Sequence, residues 1–177
     1  MKKSSCWRYY KLEKIENLFK YINKEIENRK TLFKENNGNF INYCKNSGKT
    51  LPNLVVIINN FKAFQELVGQ YEEILTILSR DCNRYGVYFV ITLSTTNGAR
   101  FILKQNFSLT YCLQQNSEDD YIAVLGNTSR LYSSKLFGRG FIKLEDIFEF
   151  QTALVYPKDE ITKFIKNYCE TISISSV

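Results

Sequence analysis

Apolar residues recur at steps of three and four, or their multiples, between Lys11 and Glu35: Leu12, Ile15, Phe19, Ile22, Ile26 and Phe33. This period predicts a long amphipathic helix, with Glu16–Lys20 and Glu25–Arg29 as i,i+4 pairs along it. Asn36-Asn37-Gly38-Asn39 stops that helix, and Phe40 to Lys45 adds one further helical turn. Leu54-Val55-Val56-Ile57-Ile58 then follows Pro52-Asn53 as an apolar run without alternation. Such a run predicts a strand buried on both faces, as in a parallel sheet. From Phe61 to Asn83 the helical period returns, through Phe61, Phe64, Val68, Tyr71, Leu75 and Leu78, with Gly86 placed to cap the end.

Val87 to Leu93 reads as a second buried strand, Ala99 to Leu103 as a short helix, and Phe107 to Leu113 as a third strand. Strand alternating with helix in this order implies right-handed crossovers in a mostly parallel sheet. Ser117-Glu118-Asp119-Asp120 supplies a cap and an acidic first turn to a helix reaching Leu125, which Gly126 ends. Phe141–Leu144 and Ile147–Val155 are two further expected strands, and Pro157 opens a last helix with Ile161, Phe164, Ile165 and Tyr168 on one side. No repeat, linker or low-complexity tract interrupts the pattern.

Composition narrows the chemistry. The 177 residues suit one domain or a large piece of one, and the 44% hydrophobic and 24% charged content reads as globular. No apolar run approaches the roughly 18 residues of a membrane span. The start, Met1-Lys2-Lys3-Ser4-Ser5-Cys6, is basic without an apolar stretch behind it, so no signal peptide and a cytosolic location are expected. Histidine is absent, which removes Ser-His-Asp, Cys-His and imidazole-metal chemistry together. Cys6, Cys44, Cys82, Cys112 and Cys169 include no C-x-x-C pair and read as reduced structural thiols. The net charge of +6 is dispersed among carboxylates and names no partner. Tyr85, Tyr88, Tyr111, Tyr121 and Tyr132 lie mostly within the apolar pattern, which favours packing over base stacking.

Ser47-Gly48-Lys49-Thr50 matches the tail of a phosphate-binding loop, whose backbone N–H groups cradle phosphate while lysine and hydroxyl reach it and Mg²⁺. The first glycine of that pattern falls on Tyr43. The order is also reversed, since Lys49 leads into Pro52 and a strand where a P-loop lysine enters a helix. A solvated turn is the expectation here. The strand that follows ends in Asn59-Asn60, at the place where an ATPase strand carries acids for Mg²⁺ and for activating water.

Read in order, Arg29-Lys30-Thr31-Leu32-Phe33, Leu51 to Phe61, Leu78-Ser79-Arg80, Tyr85 to Thr92, Leu136-Phe137-Gly138-Arg139-Gly140-Phe141-Ile142 and Phe150-Gln151-Thr152-Ala153-Leu154 resemble FtsK/SpoIIIE-type P-loop ATPase domains. The likeness is strongest to late, degenerate modules of the type VII secretion ATPases EssC/EccC, and runs from about Leu18 to Leu154. It implies an α/β fold of the RecA-like P-loop NTPase kind, with a mostly parallel central sheet flanked by helices. It also implies a nucleotide site between modules, and a cytoplasmic place peripheral to a cytoplasmic-membrane secretion complex. Other ATPase modules of the motor and small helical secretion substrates are the implied partners, with no specific nucleic acid and no direct membrane span.

The chain departs from that family in three ways. The Walker A strand and loop, which in the family precede the helix near Lys11, have no counterpart, so residues 1–177 read as a single partial domain, the C-terminal part of a module. Asn59 stands where the Mg²⁺-associated aspartate belongs and Asn60 where its neighbouring acid belongs, a degenerate Walker B. The polar sensor of the next strand falls on Ser94. The family uses ATP and Mg²⁺, but no cofactor, metal site or catalytic residue is expected for this chain alone. Arg80, Arg84 and Arg139 are candidates for reaching a neighbour's phosphate, against the plainer reading of ion-paired surface arginines. Arg139 stands out between Gly138 and Gly140. A fragment of an FtsK/SpoIIIE DNA translocase is the alternative, and an unrelated small α/β enzyme the third reading.

Overall fold

The computed structural model describes residues 12–36, 38–126, 136–153, 157 and 160–174. Cys6, Tyr132 and the last expected strand residues, Leu154 and Val155, lie outside the described residues. The first helix, α1, spans Leu12–Leu32 and buries the predicted stripe of Ile15, Phe19, Ile22 and Ile26. Asn39 caps α2 (Phe40–Ser47), its side chain accepting from the N–H of Ile41 at 2.7 Å and of Asn42 at 3.3 Å. Gly48 closes that helix in the left-handed region.

Strands β1 (Leu54–Ile58) and β2 (Val87–Ile91) pair in parallel, from Leu54↔Val87 to Ile58↔Ile91. Between them the chain crosses over through α3 (Phe61–Val68), a 3-10 turn at Gly69–Tyr71 and α4 (Glu72–Asp81). One continuous helix was expected there. Gly69, a poor residue for a helix interior, marks the break, and it lets α3 and α4 bury Val68 and Leu75 in one core. A second 3-10 turn, Cys82–Tyr85, ends at Gly86 as the sequence predicts. Glycine is required at that position on two grounds. Its φ is +70°, and a Cβ would lie 2.7 Å from the Phe40 ring.

The main core joins Phe19, Ile22 and Ile26 of α1 to Val56, Val87 and Phe89 of the strands and to Phe61, Val68, Leu75 and Leu78 of the crossover. Phe19 stacks on Tyr71 with ring centroids 5.5 Å apart. Arg29 ties this assembly together. It is buried on the inner side of α1, pairs with Glu25 at 2.7 Å, and donates to the carbonyls of Tyr85 and Pro52 at 2.9 Å each and of Gly86 at 3.4 Å. Those carbonyls belong to the two segments that enter β1 and β2. One guanidinium therefore fixes the amino-terminal ends of both strands to the helix.

The expectation that β1 is buried on both faces is corrected. Val56 is buried, but Val55 and Ile57 are 54% and 67% exposed, and their register partners Tyr88 and Val90 are 40% and 46% exposed. Helices α1, α3 and α4 join the core that takes up Val56, Val87 and Phe89, and no described element covers the opposite face. Strand period places alternate residues on opposite faces, so an apolar run is buried twice only where both faces have a cover.

The chain continues through α5 (Phe101–Lys104) into a second sheet of β3 (Thr110–Leu113), β4 (Arg139–Lys143) and β5 (Ile147–Gln151), antiparallel in that order. The α/β class stands, but parallel pairing is confined to β1–β2 among the described residues, and β3 starts later than Phe107. Ser117 caps α6 (Glu118–Leu125), whose Tyr121 and Leu125 form a small separate core with Cys112 and Phe141. The last helix, α7 (Ile161–Ile174), forms as expected, with Ile161, Ile165 and Tyr168 exposed.

Replacing Arg29 with alanine should lower unfolding free energy by about 3 kcal/mol, because buried carbonyls and the Glu25 carboxylate lose their donor. Urea denaturation followed by circular dichroism checks this, and Arg29→Lys, which cannot reach three carbonyls in a fork, should recover only part of the loss.

Candidate functional site

In open α/β sheets, ligand sites lie beyond the carboxyl ends of parallel strands. Here β1 runs into Asn59-Asn60 and β2 into Thr92, and a compact polar network joins them. The Thr92 N–H donates to the Ile58 carbonyl at 3.1 Å, and the Phe61 N–H donates to the Thr92 carbonyl at 2.9 Å. The Thr92 hydroxyl donates to Asn59 Oδ1 at 2.7 Å and accepts from the Asn60 N–H at 2.8 Å. Asn60 Oδ1 in turn accepts from the Ala63 N–H at 3.3 Å, capping α3. Ser94 lies exposed two residues past Thr92, at the same end of the sheet.

Asn60 has φ +61° and is the one non-glycine residue with positive φ among the described residues. Asparagine tolerates this conformation better than most side chains because its short amide hydrogen-bonds locally. Here the turn reverses the chain from β1 into α3, and the amide caps the helix that it starts. Thr92 escaped sequence reasoning as part of the site. Its only signal is a hydroxyl, donor and acceptor in one group, at the end of an apolar strand.

This arrangement orients neutral groups. Mg²⁺ in a nucleotide site is usually held through one or two carboxylates beside the phosphates, and Asn59 and Asn60 bring none; their amide oxygens accept from Thr92 and from the Ala63 N–H. Among the described residues no cluster of three or more His, Cys, Asp or Glu could hold a metal ion. The strand ends therefore do not fit the Mg²⁺ of an ATPase site.

The Gly48-Lys49-Thr50 turn comes before β1, so it leads into the amino-terminal end of that strand and not its carboxyl end. Its Lys49 N–H donates to Ser47 Oγ at 3.2 Å. Tyr43, at the position of the pattern's first glycine, is buried in α2 with its ring 4.9 Å from that of Phe33. This is the core side of a helix, followed by an exposed turn.

The three arginines are not gathered at the strand ends. Arg80 lies exposed in the last turn of α4. Arg84 donates from Nε to the Gly38 carbonyl at 2.7 Å, holding the turn between α1 and α2. Arg139, on β4, pairs with Glu149 at 3.4 Å and donates to Gln151 Oε1 at 3.3 Å, both across the β4–β5 ladder. The glycines beside it have packing reasons. A Cβ at Gly140 would meet the Cys112 carbonyl at 2.6 Å and the Phe150 ring at 3.0 Å, and Gly138 has φ +78°.

Sequence reasoning also passed over Glu72, a buried carboxylate at the start of α4. It accepts from Gln65 Nε2 at 3.0 Å and pairs with Arg100 at 3.6 Å, anchoring the segment that leaves β2 to the crossover helix. Among the described residues, Cys44, Cys82, Cys112 and Cys169 form no disulfide. Burial pushes Cys82 up to about 11 and shifts Cys112 in the same direction.

No protein-family model matches the chain. It is 27% identical over 124 residues to the ESX secretion system protein EccC of Geobacillus thermodenitrificans, a match covering 68% of this chain and 8% of that protein. The chain thus spans less than a tenth of the length of that relative. In fold it is similar to EssC (ATPases 2 and 3) of the same organism, with a TM-score of 0.78 at 23% identity, over 93% of this chain and 32% of the other. It is also similar to the pCW3 conjugation coupling protein TcpA, solved with ATPgS, with a TM-score of 0.75 at 22% identity, over 92% of this chain and 49% of the other. The fold is thus that of a P-loop-type ATPase module. Sequence narrows the likeness further, to a module of the type VII secretion ATPases.

Thr92→Val should cost about 1 kcal/mol in denaturant unfolding, since Asn59 and the Asn60 N–H lose their shared hydroxyl. Asn60→Gly should stay within a few tenths of wild type, whereas Asn60→Ala, lacking both the cap and the left-handed tolerance, should lose about 1 kcal/mol. Mass-spectrometric alkylation with iodoacetamide at about pH 8 should label the exposed Cys169 well before Cys82, whose thiolate is disfavoured by burial.

Proposed function

We propose that this chain is an ATPase-like module of a type VII secretion motor that does not hydrolyse ATP, and that it docks secretion substrates or regulates neighbouring ATPase modules. The reading rests on one observation above the others. In a chain whose fold and sequence resemble secretion-motor ATPases, the strand ends carry Asn59 and Asn60 instead of acids, and both amides are engaged in holding the sheet and α3 together. Loss of carboxylates at this place removes the means of binding metal and of activating water.

The partners in this reading are other modules of the motor and small helical substrates, met at the cytoplasmic face of a membrane complex. Among the described residues no helix is long and apolar enough to cross a membrane. Arg80 is the candidate for reaching a neighbour's phosphate, since Arg84 and Arg139 already serve the Gly38 turn and the β4–β5 ladder.

The structural likeness to a conjugation coupling protein keeps a second reading in view, a fragment of an FtsK/SpoIIIE-type DNA translocase. The two readings separate by experiment. Affinity capture of the tagged chain from cytosol and detergent-solubilised membrane should retain a multi-module ATPase or helical secretion substrates. Retention of DNA, with affinity falling steeply as salt rises, would replace the secretion reading with the translocase one.

Restoring acids by Asn59→Asp with Asn60→Glu should produce no ATP hydrolysis above background in a phosphate-release assay on the isolated chain. A measurable turnover would show that these two positions alone had silenced the site.

A further inference from the structure

The sequence holds two Asn-Gly pairs, Asn37-Gly38 and Asn97-Gly98, and the fold holds their glycine nitrogens differently. In this dipeptide the asparagine amide is open to attack by the next backbone nitrogen, because glycine has no Cβ to hinder the approach. Whether the attack occurs depends on how firmly that nitrogen is tied.

Gly38 is tied through both of its backbone groups. Its N–H donates to the carbonyl of the buried Phe33 at 2.9 Å, and its own carbonyl accepts from Arg84 Nε at 2.7 Å. It stands in the left-handed region at φ +61°, between the end of α1 and the Asn39 cap of α2. Freeing its nitrogen means opening the joint between two helices.

Gly98 is tied by one local bond. Its N–H donates to the Thr95 carbonyl at 3.1 Å, closing a turn in which Asn97 is exposed. The Asn97 amide itself makes no hydrogen bond among the described residues. The segment leaving β2 is anchored on either side of this turn, by Thr92 on Asn59 and by Ala99 in the main core with Arg100 on Glu72. The turn can therefore open without moving either anchor. Packing favours glycine at the position, since a Cβ would lie 3.1 Å from Leu93 Cδ2 and 3.2 Å from the Thr95 carbonyl oxygen.

We propose that Asn97 is a site of spontaneous deamidation and that the fold protects Asn37 from it. The Gly98 nitrogen, giving its proton to water or hydroxide, bonds to Cγ of Asn97. The Cγ–Nδ2 bond breaks, and the amide nitrogen takes a proton from solvent and leaves as ammonia, closing a succinimide ring. Water then adds to one of the two ring carbonyls and breaks its bond to nitrogen, leaving aspartate or isoaspartate. Water is the one co-reactant, and nothing is oxidised or reduced. Residues 92–104 carry Arg100 and Lys104 and no acid, so the product brings the first carboxylate into this segment. It arises next to Thr96, whose carbonyl accepts from Lys104 Nζ at 3.0 Å. The isoaspartyl form also lengthens the main chain by one carbon inside the turn. The exposed surface around Ser94 thus changes charge as the protein ages, whether or not the chain serves secretion.

Incubation of the folded 177-residue chain in mildly alkaline buffer, followed by tandem mass spectrometry of its peptides, tests this. Asn97 should gain one mass unit and appear as aspartyl and isoaspartyl forms, while Asn37 converts at least about tenfold more slowly. In urea the two should convert at similar rates, because only the dipeptide then acts. Asn97→Gln, exposed and able to react only through a larger ring, should fold normally and lose the acidic species that wild type acquires on ion exchange. The proposal falls if Asn97 stays intact in the folded chain. It falls equally if Asn37 keeps pace with Asn97 in the folded chain, or if the two differ as much in urea, for then the fold does not select the site.

Discussion

The fold depends on one buried guanidinium. Arg29 extends from α1 to the carbonyls of Pro52, Tyr85 and Gly86, the segments from which both parallel strands start. A helix and a sheet packed only by apolar side chains slide past one another at little cost, because apolar attraction has no direction. Hydrogen bonds from a rigid fork do have direction, and three acceptors at two strand entries admit one register. The other end of the sheet is fixed by a neutral counterpart, the Thr92 hydroxyl between Asn59 and Asn60. The β1–β2 pair is thus held at both ends by polar ties, with apolar burial along one face between them.

Much of this was readable before any coordinates. The three-and-four stripe of α1, the caps at Ser117 and Gly86, the apolar strands and the element order that disqualifies Gly48-Lys49-Thr50 are local features, and local pattern records them. What escaped is long-range. Arg29 reads in sequence as half of an exposed i,i+4 pair with Glu25, and nothing near it announces three carbonyl partners more than twenty residues away. The run Leu54–Ile58 reads as doubly buried because side-chain type reveals a preference for burial, not whether a cover exists. The break at Gly69 was hidden because residues on either side keep the helical period.

The candidate site divides along the same line. Asn59 and Asn60 follow β1, and Ser94 lies three residues past the end of β2, so all three sit at one end of the parallel pair, a placement that the family resemblance implied. The arginines were read from residue type and flanking glycines, and the structure assigns two of them other partners. Gly140 admits the Phe150 ring and the Cys112 carbonyl, so the glycine beside Arg139 is accounted for by sheet packing. Flanking glycine is weak support for a mobile arginine wherever two strands approach closely.

The amide-bearing strand ends and the uncovered sheet face bear on each other. A catalytic module must hold its strand ends in a geometry set by metal and nucleotide, and acids placed there without those ligands repel one another. Asparagines remove that repulsion and convert the same positions into ties, Asn59 to Thr92 and Asn60 to α3. The pair of strands can then keep its register without a ligand, which an open two-stranded sheet needs more than a covered one does. The carboxyl ends of β1 and β2 are thereby held by neutral ties where paired carboxylates would repel one another. The apolar face of Val55, Ile57, Tyr88 and Val90 lies between these polar ties, which hold its register.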